Sequence, residues 1–98
     1  MADLDTRLLD VHVVTPDQEV WAGEASFVVV RALDGELGVL PGHEPLLALL
    51  REGPLKVETQ FGNFTATVDG GFLSVGDVQG RTRIDVLAES VTDVVDES

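Results

Sequence analysis

The sequence contains no cysteine and no tyrosine, a single tryptophan, a single methionine, and only six lysines and arginines in 98 residues. Without cysteine there is neither a disulfide nor a thiolate metal site, which accords with a reducing compartment. Six bases stand against 18 acids, for a formal net charge of -12, and the acids are spread along the chain rather than gathered in a tail. Nucleic-acid affinity comes largely from Lys and Arg displacing counterions, so this surface disfavours DNA and RNA as partners. It equally opposes direct adhesion to anionic lipid; its plainest role is solubility, and a basic docking partner is the alternative. No apolar run approaches the ~20 residues that span a bilayer. The N-terminus, Met1-Ala2-Asp3-Leu4-Asp5-Thr6-Arg7, is acidic and polar where a signal peptide is basic and then apolar. The expectation is a soluble cytoplasmic protein without a membrane span.

Catalytic patterns are scarce for the same reason. The two histidines, His12 and His43, share no metal-binding spacing. A Gly-x-Ser-x-Gly elbow, a dinucleotide glycine pattern and a phosphate loop with its Lys-Ser/Thr are all missing. Paired carboxylates of the glycosidase kind could be drawn from the 18 acids, but four Phe and one Trp leave almost nothing to stack a sugar. Neither an enzyme nor a metal or cofactor site is expected.

What the chain does have is valine, leucine and alanine, with 44% hydrophobic residues overall. A chain of this length buries about 60 to 68% of its unfolded surface, enough for one core and not two. Valine enrichment favours strands. Residues 1–7 read as disordered. From Leu8 to Val14 the odd positions Leu9, Val11 and Val13 are apolar and Asp10 and His12 interrupt the even ones, so His12 belongs to the wetter face. Thr15-Pro16-Asp17-Gln18 is a turn, Glu19 to Ala22 a short strand with Trp21 as a core plug, and Gly23-Glu24 a further turn. The run Phe27-Val28-Val29-Val30, inside a strand from Ala25 to Leu33, means a strand covered on both faces or one at the junction of two sheets. Leu46 to Leu50 is strand or helical turn. Leu55 to Phe61 and Phe64 to Val68 alternate about Gly62-Asn63, a tight-hairpin dipeptide. Gly70-Gly71 marks a sharp corner or backbone packed on backbone before a brief strand, Phe72 to Val75. Gly76-Asp77 and Gln79-Gly80 are turns around a final strand, Thr82 to Leu87. Strands every 8 to 10 residues without a convincing helix indicate an all-β, flattened antiparallel sandwich of short strands.

The centre of the chain is Gly35 to Leu47, which packs three glycines, two prolines, His43, Glu36 and Glu44 into thirteen positions. Glycines that permit unusual backbone geometry, alternating with prolines that fix φ, predict a stiff, shaped loop. Such loops on rigid scaffolds carry binding surfaces; a long turn with demanding geometry is the plainer reading. His43 can hold the loop in shape through a hydrogen bond to a carbonyl, lie on a docking face, or do both.

Three segments also carry a resemblance. Glu36-Leu37-Gly38-Val39-Leu40-Pro41-Gly42-His43-Glu44-Pro45-Leu46-Leu47, the pair Val14-Thr15-Pro16-Asp17 and Val20-Trp21-Ala22-Gly23-Glu24, and Gly70-Gly71-Phe72-Leu73-Ser74-Val75 are similar, in order and spacing, to the epsilon subunits of F-type ATP synthases. The resemblance covers roughly residues 8–88. It implies a sandwich of about ten strands at 8–88 and a non-catalytic rotor subunit of the central stalk. That subunit couples the c ring to the gamma subunit of a proton-translocating synthase at the cytoplasmic face of a bacterial membrane. By the same resemblance Glu36, Leu37 and Gly38 would meet the c ring, and Thr15, His43, Pro45 and Leu46 the gamma subunit. Members of that family continue into a two-helix hairpin; residues 89–98 are expected to be a short tail in its place, without the hairpin's inhibition or nucleotide binding. Outside the family, the alternative is a free-standing β-sandwich that binds a protein or small ligand.

Overall fold

The computed structural model describes residues 8–97, so the disorder expected at 1–7 falls outside the described residues. The fold is all β, as the strand spacing indicated. Ten strands follow in order: β1 (Leu9–Val14), β2 (Glu19–Ala25), β3 (Phe27–Ala32), β4 (Gly35–Val39), β5 (Leu46–Leu50), β6 (Gly53–Thr59), β7 (Gly62–Val68), β8 (Gly71–Val78), β9 (Arg81–Leu87) and β10 (Val91–Glu97). They hydrogen-bond in the order β10-β7-β6-β3-β5-β8-β9-β1-β2, with β4 paired to β3 alone. All pairs are antiparallel except β1 with β9, which is parallel.

Strand β3 is the junction foreseen for the valine run. One of its edges pairs with β6 through Phe27, Val28 and Val29 and passes to β5 at Ala32 opposite Leu50, while the other edge pairs with β4 from Val28 to Ala32. The strand path folds back about this point, so the indole of Trp21 on β2 stacks on the Phe64 ring of β7 with centroids 5.3 Å apart. Trp21 is thus the core plug its isolation suggested. Between the layers lies one cluster, built from Leu9, Val11 and Val13 of β1, Val28 and Val30 of β3, Leu55 and Val57 of β6, Phe64 of β7, Leu73 of β8 and Ile84 and Val86 of β9. Each contributes every second residue, as the pleat requires.

Several boundaries differ from expectation, because glycine here can sit inside a strand as well as turn the chain. Gly23-Glu24 lies inside β2; a Cβ at Gly23 would sit 3.0 Å from the Trp21 ring, so glycine clears the indole's seat. Gly76-Asp77 lies inside β8, which is eight residues long, and only Gln79-Gly80 turns the chain. The β6–β7 turn is Gln60-Phe61 and not Gly62-Asn63, since Thr59 pairs with Gly62. The Thr59 hydroxyl donates to the Gly62 carbonyl and accepts from the Phe61 amide, and Phe61 stands out in solvent, 74% exposed, instead of joining the apolar side of β6. The segment Gly35 to Leu47 is not one loop, because β4 and β5 occupy its ends and the loop proper is 40–45. Strands do not stop at Leu87 either. Val91–Glu97 forms β10 against β7, with a register shift between Thr92 and Val95 where Asp93 takes a φ of 53°.

The backbone-on-backbone reading of Gly70-Gly71 holds. Gly71 has a φ of 104°, and a Cβ there would meet the Leu87 carbonyl oxygen at 2.0 Å. Replacing Gly71 by alanine therefore combines a left-handed backbone with a clash that no side-chain rotation relieves, and should destabilise the domain by roughly 3 kcal/mol. A thermal melt would show the midpoint falling by about 12 to 24 °C; a loss of only a few degrees would mean that β8 and β9 separate easily at this corner.

Candidate docking surface

The loop between β4 and β5 is shaped by a Pro-Gly turn. The His43 amide donates to the Leu40 carbonyl at 3.1 Å, Pro41 occupies the second position, and Gly42 the third with a φ of 87°. That is a type II turn, which needs a positive φ at its third residue and favours proline at its second. The His43 imidazole donates from Nδ1 to the Glu44 carbonyl at 2.8 Å, so it braces its own loop. His43 is half-buried and Pro45, just ahead of β5, is exposed.

The two leucines among these site residues, Leu37 and Leu46, are partly committed to the core. Leu37 and Leu46 are half-buried and packed against the core, Leu37 opposite Val30 and Leu46 opposite the buried Val75. Gly38 lies beneath the Phe27 ring, where an added Cβ would come within 3.0 Å of its tip. Glu36 is exposed on β4, opposite Arg31. Both Glu36 and Leu37 border a groove of about 520 Å³ between β4 and β5, shared with Leu33, Leu46, Leu47 and Leu49. Residues assigned to two different partners thus meet around one groove. Thr15 lies elsewhere, in the β1–β2 turn closed by its amide and the Gln18 carbonyl at 2.9 Å. It borders a second, mainly apolar groove of about 380 Å³ with Val14, Pro16, Phe72, Leu87 and Ala88.

Strand register joins the two grooves into one surface, which the sequence reading did not identify. Leu49 faces Phe72 across β5 and β8, Phe72 faces Leu87 across β8 and β9, and Leu87 faces Val14 across β9 and β1. Directly opposed residues share a face of the sheet. The result is an apolar row crossing four strands, with Leu47 (70% exposed) beside Leu49 and with Phe72 still 45% exposed. Thr15 flanks its β1 end, while Pro45 precedes Leu47 by two residues, on the side toward Gly76 and Arg83. The signal in the sequence was the unbroken Leu46-Leu47-Ala48-Leu49-Leu50, since a strand with one wet face would have alternated. A contiguous apolar patch of this kind on a small domain marks an interaction surface.

Next to this row the same face turns charged. The neighbouring positions are Ser74, Asp85 and His12, then Gly76, Arg83 and Asp10. Arg83 binds Asp85 at 3.2 Å and Arg81 binds Glu24 at 2.7 Å. The Asp85 carboxylate raises the Arg83 guanidinium above its ordinary value, first by hydrogen bonding and then by charge. A raised base loses its contribution only as pH rises through its folded value, here beyond the alkaline end of any working range, so this pair adds no pH dependence near neutrality. His12 is half-buried on this face as expected, with Nδ1 3.2 Å from Glu19 and Nε2 3.1 Å from Asp10, the latter without hydrogen-bond alignment. Among the described residues no group of three or more His, Cys, Asp or Glu is disposed to hold a metal ion. No helix of the structure is long and apolar enough to cross a membrane.

A stiff strand body whose distinctive surface is an apolar row beside the Thr15 turn defines a docking module. The family model described as ATP synthase, Delta/Epsilon chain, beta-sandwich domain matches residues 8–94, and the chain belongs to that family. Among curated relatives, the ATP synthase epsilon chain of Frankia casuarinae is 56% identical over 66 residues, covering 66% of this chain and 78% of the relative. That of Streptomyces coelicolor is 44% identical over 90 residues, covering 91% of this chain and 68% of the relative. A chain in the cryo-EM structure of the Euglena gracilis mitochondrial ATP synthase (OSCP/F1/c-ring, rotational state 1) shares the fold with a TM-score of 0.79 at 24% identity, and this chain, 88% covered, spans 53% of its length. A chain in the Tetrahymena thermophila central stalk/c-ring structure matches with a TM-score of 0.60 at 23% identity over 90% of this chain and 66% of that one.

The orientation of β5 is directly testable through its alternate leucines. Leu47→Ala should cost about 0.5 kcal/mol or less, because its side chain already sits in water, whereas Leu50→Ala should cost about 2 to 5 kcal/mol by opening a cavity in the core. Urea unfolding of the two variants compares them; equal losses would contradict the register.

Proposed function

We propose that this chain is a non-catalytic rotor subunit of the central stalk in a proton-translocating F-type ATP synthase, coupling the c ring to the gamma subunit. The observation that supports this most is the apolar row over β5, β8, β9 and β1, a ready docking face on a stiff strand body. Transmitting torque needs stiffness and two contacts. Strands hydrogen-bonded into one continuous path supply the first. For the second, the gamma subunit takes the row and Thr15 at its border, together with His43, Pro45 and Leu46 at the head of β5, with Leu47, Leu49, Phe72 and Leu87 adding the area. The c ring takes the free edge at Glu36, Leu37 and Gly38 on β4, where Glu36 is placed to pair with a basic side chain.

Energetics favours the leucines and the phenylalanine as the binding contribution. Burying a large apolar side chain contributes about 1.5 to 3 kcal/mol, against roughly 0 to 1 for an exposed ion pair such as one made by Glu36. Attachment to the membrane is through the complex, as a peripheral subunit on the cytoplasmic face of a bacterial membrane, without cofactor or nucleic acid.

Calorimetric titration against purified gamma subunit of the same organism tests this reading. One-to-one binding is expected, weakened ten- to a hundredfold by Leu47→Glu and to a smaller degree by His43→Glu, with both variants still folded by circular dichroism. No binding of the unaltered chain at micromolar concentration would replace this function with that of a free-standing β-sandwich module for another protein or small ligand.

A further inference from the structure

Among the described residues Thr82 is the one buried polar side chain, 8% exposed, in a row of β9 otherwise made of Ile84 and Val86. Valine would suit that row in shape and in strand preference, so the hydroxyl calls for a partner. It has one across 40 positions of sequence: Thr82 Oγ1 accepts a hydrogen bond from the Gly42 amide at 2.8 Å. The type II turn at 40–43 closes through the His43 amide and the Leu40 carbonyl, and this closing bond makes no use of the Gly42 N–H. That free donor is what β9 captures.

We propose that Thr82 is the positioning residue of the docking loop, a hydroxyl latch that ties the Pro-Gly turn between β4 and β5 to the first inward position of β9. The turn bond sets the loop's internal shape, and the latch sets where that shape sits. With it in place, His43 and Pro45 hold a fixed station at the head of β5, on the approach to Leu46 and Leu47. Without it, residues 40–45 pivot between the ends of β4 and β5. The consequence for partners rests on the function proposed above; the latch itself does not.

Backbone amide exchange on the full chain, read residue by residue by NMR, tests it with Thr82→Val and Thr82→Ser. Removing the hydroxyl at constant shape should speed exchange at Gly42 and His43 roughly three- to tenfold, the loss of one hydrogen bond. Val57 and Phe64 should exchange as before, the affinity for the gamma subunit should fall at least twofold, and Thr82→Ser should restore both properties. Unchanged exchange at Gly42 in Thr82→Val, or exchange that quickens equally at Val57 and Phe64, would each overturn the latch, and faster loop exchange with unaltered affinity would overturn its consequence for partners. If the unaltered chain fails to bind gamma, the docking reading falls, while exchange still decides the latch.

Discussion

The register of β3 sets the direction of nearly every side chain that matters. Because it pairs with β6 at one end and β5 at the other along a single edge, the two layers share one pleat, and Val28, Val30 and Ala32 point inward for both. A slip of one residue would exchange these with Phe27, Val29 and Arg31, burying a guanidinium in the core. The same register carries through Ala32 opposite Leu50 into β5, which sends Leu50 inward and leaves Leu47 and Leu49 in water. From there the pairing of β8, β9 and β1 extends the exposed face. The core and the apolar outer row are therefore two sides of one constraint.

Much of this was legible in the residues. Period-two alternation located the strands that became β1, β6 and β7, turn signals marked out β9, Trp21 read correctly as a core plug, and Gly70-Gly71 as a close backbone approach. Glycine misled elsewhere, because its two physical uses look alike in sequence. Gly71 is required by backbone geometry, whereas Gly23 and Gly38 sit in plain strand and exist to admit the rings of Trp21 and Phe27. Treating them all as punctuation cut β2 and β8 short and blurred β4 into a loop. β10 was missed because its apolar residues Val91, Val94 and Val95 are interrupted by acids and by a register shift at Asp93, which breaks the alternation.

The docking surface was legible only in part. Local chemistry in the Gly35 to Leu47 segment pointed to a shaped loop, and the Pro-Gly turn confirms that much. Leu47, Leu49, Phe72 and Leu87, however, are written in the same letters as core residues. What distinguishes them is pairing between strands that lie tens of residues apart, which no local pattern encodes. The same holds for Thr82, an ordinary strand threonine until the fold brings Gly42 to its hydroxyl.

The central claim is that the outer face of β5, β8, β9 and β1 is the docking face. Amide exchange footprinting of this chain, free and in complex with the gamma subunit, tests it most directly. The account predicts slowed exchange concentrated at Leu47, Leu49, Phe72, Leu87 and the Thr15 turn, with β10 and the Gln60-Phe61 turn exchanging at the free rate. Protection centred on β10 and β7, with none along the apolar row, would contradict it.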